Sequence, residues 1–197
     1  EILKIKLGTP KQDRLIIDEI RKFTDKLIRV DANEGWDIDT AISMCQWLLD
    51  KNVEFVEQPF PRGKIDMLRK LKKYCKLPIY ADEDSISLND IRNVKKMGYD
   101  GFNIKLMKCG SIDEALKMIN LGKLNDLKIM LGCMVETSIG ISAISHLAGE
   151  VDAIDLDGNL LIDNDPYKGV LIEDGKLQIP NSNGIGLQLL LKGNILI

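Results

Sequence analysis

The sequence predicts an α/β fold: a parallel (β/α)8 barrel of TIM type that lacks its first strand. Three observations predict it. Short apolar strands alternate with helical segments from residue 3 to residue 156. The alternation supplies seven strands, where a closed barrel needs eight. Nearly every strand ends on a charged residue, the place where such barrels carry their chemistry. An open doubly wound sheet is the alternative. It usually has a glycine-rich phosphate turn after its first strand, and Gly8-Thr9-Pro10 is not one.

The elements follow in order. Residues 3–7 alternate apolar and polar side chains, so they read as a strand with Lys4 and Lys6 on one face. On an enclosed face, mutual repulsion and desolvation would lower the amine pKa; on an exposed edge the lysines would simply be solvated. Residues 12–26 read as a helix with an apolar stripe of Leu15, Ile16, Ile20 and Phe23. Strands at 27–31, 53–57, 77–82, 101–105, 127–131 and 153–156 then alternate with helices at 37–51, 64–74, 88–97, 112–124 and 138–147. Residues 169–179 read as a hairpin turning at Asp174-Gly175, and residues 180–197 as a tail with an apolar run at 187–191. The division expected is residues 1–160 for the barrel, strands 2 to 8, and 161–197 for the hairpin and tail.

Composition narrows the function classes. The 197 residues suffice for one sizeable core, and 45% hydrophobic with 29% charged residues is ordinary for a globular protein. A net charge of −3 gives no electrostatic reason to expect nucleic acid. No apolar run has transmembrane length, and the opening residues lack a signal-peptide layout, so no membrane partner is expected. The four cysteines are scattered and read as reduced thiols, which points to a cytoplasmic protein; homo-oligomerisation is left open. His146, the one histidine, and the two tryptophans, Trp36 and Trp47, read as packing or surface residues.

Asp31, Glu57 and Asp82 end three consecutive strands, one βα unit apart. Three carboxylates converging with no arginine nearby call for a hard divalent cation, most plausibly Mg²⁺. Acidic residues also cap helices, the alternative for any one of them. Lys6 and Lys105 fall on either side of this group in strand order. A metal-stabilised enediolate flanked by two amines allows 1,1-proton transfer, one lysine removing the α-proton and the other returning it.

The segments Lys4-Ile-Lys6, Val30-Asp31-Ala-Asn33-Glu-Gly-Trp36, Val56-Glu57-Gln58-Pro59, Ala81-Asp82-Glu83 and Asn103-Ile-Lys105-Leu-Met-Lys-Cys-Gly110 resemble the barrel of the enolase superfamily, muconate-lactonising subgroup. The resemblance implies that Asp31, Glu57 and Asp82 bind Mg²⁺ and that Lys6 and Lys105 are the acid/base pair. It makes Lys4 the residue that tunes Lys6 and meets the substrate carboxylate, with Asn33, Gln58 and Glu83 supporting the ligands. Asp155-Leu-Asp157 is similar to the pair that binds the substrate ammonium in dipeptide epimerases. Two carboxylates on one strand face suit a free α-ammonium; the alternative is a solvated turn. Glu136, in Cys133-Met-Val-Glu136-Thr137, resembles a pocket-lining strand end and joins the expected substrate contacts.

Two departures stand out. Members of that subgroup carry an N-terminal α+β capping domain and a first barrel strand before the K-x-K strand, so the sequence reads as a partial chain, a modified (β/α)7β barrel. The usual glycine after Gly110 is Ser111. The function expected is Mg²⁺-dependent epimerisation of a dipeptide. The rivals are muconate cycloisomerase, o-succinylbenzoate synthase or N-acylamino acid racemase chemistry on the same scaffold, and a non-catalytic barrel.

Overall fold

The computed structural model describes residues 2–190. Seven strands form one parallel sheet in sequence order: β1 (Ile2–Lys6), β2 (Leu27–Asp31), β3 (Val53–Glu57), β4 (Ile79–Ala81), β5 (Gly101–Lys105), β6 (Lys128–Gly132) and β7 (Ala153–Asp155). They are joined by α1 (Pro10–Arg21), α2 (Ile38–Leu48), α3 (Ile65–Leu71), α4 (Leu88–Met97), then the one-turn α5 (Leu106–Cys109), α6 (Ile112–Leu124) and α7 (Ser138–Ser145). Every predicted strand is present. β5 and β6 are nearly continuous buried runs, as expected of strands covered on both faces. One face packs against the helices; the other closes inward on Phe55, Tyr80, Met130 and Ala153. The Phe55 and Tyr80 rings stack with centroids 4.0 Å apart, and the Arg29 guanidinium lies 5.5 Å over Phe55.

β1 and β7 are the two edges of the sheet and are not paired with each other. Side chains cross between this edge region and β7: Arg29 Nη1 donates to the Ile154 carbonyl at 3.3 Å, and Lys4 Nζ lies 2.9 Å from Asp155 Oδ2.

Helix ends are set by local chemistry. Asp37 caps α2 by accepting from Thr40 N–H, and Asp90 accepts from Ser87 N–H at the start of α4. Ser111 caps α6, accepting from Glu114 N–H at 3.1 Å, so the departure from glycine at this position supplies a cap. Asp165 accepts from Ser138 N–H at the start of α7. The predicted helix over 12–26 ends at Arg21, whose guanidinium donates to the carbonyls of Thr24, Lys26, Lys51 and Asn52. Its stripe holds in part: Ile16 and Ile20 pack half-buried against the core beside the buried Ile17 and Asp13, whereas Leu15 is 64% and Phe23 85% exposed.

Asp13 explains the difference. It is fully buried and accepts from Gly8 N–H (3.1 Å), Thr9 N–H (2.9 Å) and Trp36 Nε1–H (2.7 Å). It therefore joins the loop after β1 to the loop after β2. The two loops touch at Gly8 and Gly35, where a Cβ on Gly35 would stand 2.5 Å from Gly8 Cα.

After β7 comes the hairpin, β9 (Leu171–Glu173) with β10 (Lys176–Gln178), following β8 (Tyr167–Lys168), which pairs with β11 (Gln188–Leu189). Asp174 and Asp-following Gly175 have φ of 51° and 71°, the signature of a type I′ turn. Within the predicted apolar run, Leu189 and Leu190 are exposed; residues 191–197 lie outside the described residues.

Asp13→Ala is expected to lower unfolding free energy by about 2–4 kcal/mol, because three buried or half-buried donors lose their acceptor. Urea denaturation followed by tryptophan fluorescence measures it; a loss under about 0.5 kcal/mol would refute the tie between the loops.

Candidate active site

Strand register brings the charged strand ends to a common level. Lys6 is the cross-strand partner of Asp31, and Asp31 of Glu57; on the other side Lys105 pairs with Gly132, and Gly132 with Asp155. Asp82 follows the last residue of β4. Asp31, Glu57 and Asp82 are fully buried, and one oxygen of each lies within 4.8 Å of the others.

Backbone turns aim these groups. Gln58, at φ 36°, accepts from Asp82 N–H at 2.9 Å through Oε1 and donates through Nε2 to Asp84 Oδ2 and the Phe60 carbonyl. Asn33, at φ 43°, donates its N–H to Asp31 Oδ1 at 3.0 Å. Asn103 Nδ2 donates to Glu57 Oε1 at 2.7 Å.

Four lysines surround the three carboxylates. Lys6 Nζ donates to Asp31 Oδ2 at 2.6 Å. Lys4 Nζ stands 2.9 Å from Glu57 Oε2 and 3.6 Å from Asp31 Oδ2. Lys105 Nζ and Lys108 Nζ donate to the two oxygens of Asp82, each at 2.7 Å.

The expectation that crowding lowers the amine pKa is corrected by these carboxylates. Burial pushes Lys4 down, but Glu57, Asp155 and Asp31 outweigh it and hold the ammonium well above its usual range. For Lys105, burial also acts downward and Asp82 more than reverses it. Burial raises Asp82, yet Lys105 and Lys108 hold it below the usual carboxylate range. Glu57 behaves differently: burial pushes it up to about 7, with Lys4 opposing and Asp31 and Asp82 adding to the rise. Lys4 and Glu57 thus pull in opposite senses. We read the pair as ionised, because three carboxylates hold Lys4 cationic at once. Glu57 Oε2 also receives no well-aligned hydrogen bond. That buried oxygen keeps an acceptor position with no aligned donor, and an all-oxygen donor set of this kind fits a hard divalent cation.

Beside the triad is a cavity of about 310 Å³. Lys4, Lys6, Lys105, Asp155 and Asp157 line it, as do Asn33 and Glu83. The predicted site residues therefore come together, with Asp31, Glu57 and Asp82 buried and Gln58 behind them. Glu136 does not join them. Its Oε1 accepts from Met134 N–H at 3.1 Å, and its carboxylate turns over Gly140 in the first turn of α7, where the missing side chain leaves room. Sequence reasoning gave no role to Lys108 or Asn103. The signals were present: Lys108 is one helical turn beyond Lys105, and Asn103 shares its strand face by period 2. His146 is exposed at the end of α7, and Trp36 is buried, in keeping with their reading as surface and packing residues.

A parallel barrel-type sheet whose strand ends converge an Asp–Glu–Asp triad with lysines defines the enolase-like barrels. Over residues 1–192 the chain matches the model of the enolase C-terminal domain-like family, and it belongs to that family. It is 44% identical over 187 residues to the L-Ala-D/L-Glu epimerase of Bacteroides thetaiotaomicron, covering 94% of this chain and 48% of that one. Among solved structures it resembles the dipeptide epimerase of Cytophaga hutchinsonii complexed with Mg and the dipeptide D-Ala-L-Val, with a TM-score of 0.89 and 30% identity, over 97% of this chain and 54% of that one. It also resembles the N-succinyl Arg/Lys racemase of Bacillus cereus, with a TM-score of 0.89 and 29% identity, over 96% and 53%. The chain spans about half the length of the curated relatives it matches.

Gly132 lies against the Asn103 side chain, and a Cβ there would stand 2.5 Å from Asn103 Oδ1. Gly132→Ala is expected to push Asn103 off Glu57 at a cost of about 1–3 kcal/mol. Chemical denaturation together with a crystal structure of the variant checks this; an unmoved Asn103–Glu57 bond would refute it.

Proposed function

We propose that this chain carries the catalytic barrel of a Mg²⁺-dependent dipeptide epimerase. One observation carries the reading: amines from β1 and β5, Lys6 and Lys105, reach different members of one buried acidic triad, while Asp155 at the end of β7 and Asp157, two residues beyond it, line the same cavity. Asp31, Glu57 and Asp82 would hold the Mg²⁺. When bound, the cation supplies positive charge beside the substrate carboxylate and so acidifies its α-proton.

The remaining work falls to the chain itself. Asp155 and Asp157 take the dipeptide ammonium by charge-assisted hydrogen bonds, and Lys4 meets its carboxylate. One lysine, Lys6 or Lys105, accepts the α-proton at Nζ when in its neutral form, and the other, as the ammonium, delivers a proton from its own Nζ to the opposite face, inverting the α-carbon. Gln58, Asn33 and Asn103 hold the carboxylates; Glu83 borders the cavity near Lys108, 4.0 Å away. The relatives support the substrate class, since an L-Ala-D/L-Glu epimerase and a dipeptide epimerase complexed with a dipeptide are among them. N-acylamino acid racemisation is the second reading, favoured by the likeness to N-succinyl Arg/Lys racemase. Two carboxylates lining the cavity suit a free α-ammonium, which a dipeptide carries and an N-acylated amino acid lacks at its α-nitrogen.

Incubating the full-length protein with Mg²⁺ and a dipeptide library in D₂O is expected to exchange the α-proton of at least one dipeptide, read by mass spectrometry, and chelating the metal should stop the exchange. Lys6→Ala and Lys105→Ala should each suppress exchange from one stereoisomer by about a hundredfold or more relative to the other. Exchange confined to N-acylamino acids would select the second reading, and equal suppression of both stereoisomers would defeat the two-base assignment.

A further inference from the structure

Lys4 and Asp155, the groups assigned above to opposite ends of the substrate, are bonded to each other. Lys4 Nζ lies 2.9 Å from Asp155 Oδ2 across the gap between β1 and β7. Both are restrained: the Lys4 side chain is 10% exposed and Asp155 24%. Lys6, by contrast, is 59% exposed and meets only Asp31 among the described residues. Asp157, on the same cavity, has no lysine partner among the described residues.

We propose that the Lys4–Asp155 pair is a latch that makes the site select ligands carrying an ammonium and a carboxylate together. The inference rests on the epimerase reading for the identity of the two ends. An ammonium alone must take Asp155 from Lys4, so it breaks one charge-assisted contact for each it makes there. A carboxylate alone must take Lys4 from Asp155 and leaves that aspartate without its cation. A ligand with both ends replaces one internal pair by two external ones and leaves neither charge uncompensated. The site therefore disfavours amines, amino amides and N-acylated acids before any chemistry, by occupying its own binding groups. Lys4 can make this exchange without leaving the site uncharged, because Glu57 and Asp31 also hold it.

The test uses the full-length protein with Mg²⁺ and calorimetric titration of three ligands: a dipeptide that the wild type binds, its C-terminal amide and its N-acetyl derivative. Lys4→Met should bind the amide about fivefold or more tightly than wild type, although it has lost a lysine, while its affinity for the dipeptide falls. Asp155→Asn should show the mirror image, gaining about fivefold or more for the N-acetyl derivative. This second variant removes a partly exposed group and keeps the test readable if Lys4→Met folds poorly around Glu57. Lys6→Met removes the same charge from the same cavity without touching Asp155, and should leave the amide within about twofold. Blocked ligands that gain nothing in either variant, or an equal gain for the amide in Lys6→Met, overturn the latch while leaving the epimerase reading in place if the dipeptide binds. A wild type that binds none of the three ligands overturns both.

Discussion

The site depends on neutralising three carboxylates that share one buried space. At about 5 Å, like charges repel by about 3 kcal/mol per pair even at an effective dielectric of 20, and burial adds the desolvation of each group. Four ammonium groups answer that cost. Lys6 faces Asp31, Lys4 faces Glu57, and Lys105 and Lys108 grip Asp82 from both sides. Asp82 receives an ammonium on each oxygen, whereas Glu57 Oε2 has Lys4 at 2.9 Å but no aligned hydrogen bond. The same arrangement serves stability and cation recognition, because the oxygen left without an aligned donor is open to an incoming cation.

Parallel register makes this arrangement achievable from distant residues. Each βα unit returns the chain to the same level, so residues far apart in sequence, such as Lys6, Asp31 and Glu57, become neighbours. Side-chain alternation does the rest, since Asn103 and Lys105 share a face and both reach the carboxylates. The gap between β1 and β7 is crossed by long side chains, Lys4 of β1 and Arg29 of β2. It is spanned by charge and polarity rather than by a backbone ladder.

Much of this was legible in the sequence. Seven strand positions, the acidic triad and the lysines of β1 and β5 could be read because strand period and strand-end charge are local signals. What escaped depends on contacts between loops. The stripe of α1 was read only in part because Asp13, a charged residue, is buried by three donors from other segments, and no helical period announces that. Glu136 shares its loop with cavity-lining residues, but a backbone N–H two residues earlier draws it away. The direction for Lys4 was misjudged because the sequence shows that Lys4 and Lys6 share a face, yet not that Glu57, Asp155 and Asp31 would stand around Lys4.

The tie between the first two loops has a consequence for how this scaffold can change. Asp13, Trp36, Gly8 and Gly35 lock together the loops after β1 and β2, which flank Lys6 and Asp31. Neither loop can be lengthened or re-sequenced alone without losing the other. Across the cavity, the side chains of Met134, Val135 and Leu161 are exposed. Mutational freedom is thus uneven around the cavity: the loops beside Lys6 and Asp31 change together, whereas the exposed side chains of the opposite rim can be exchanged one at a time.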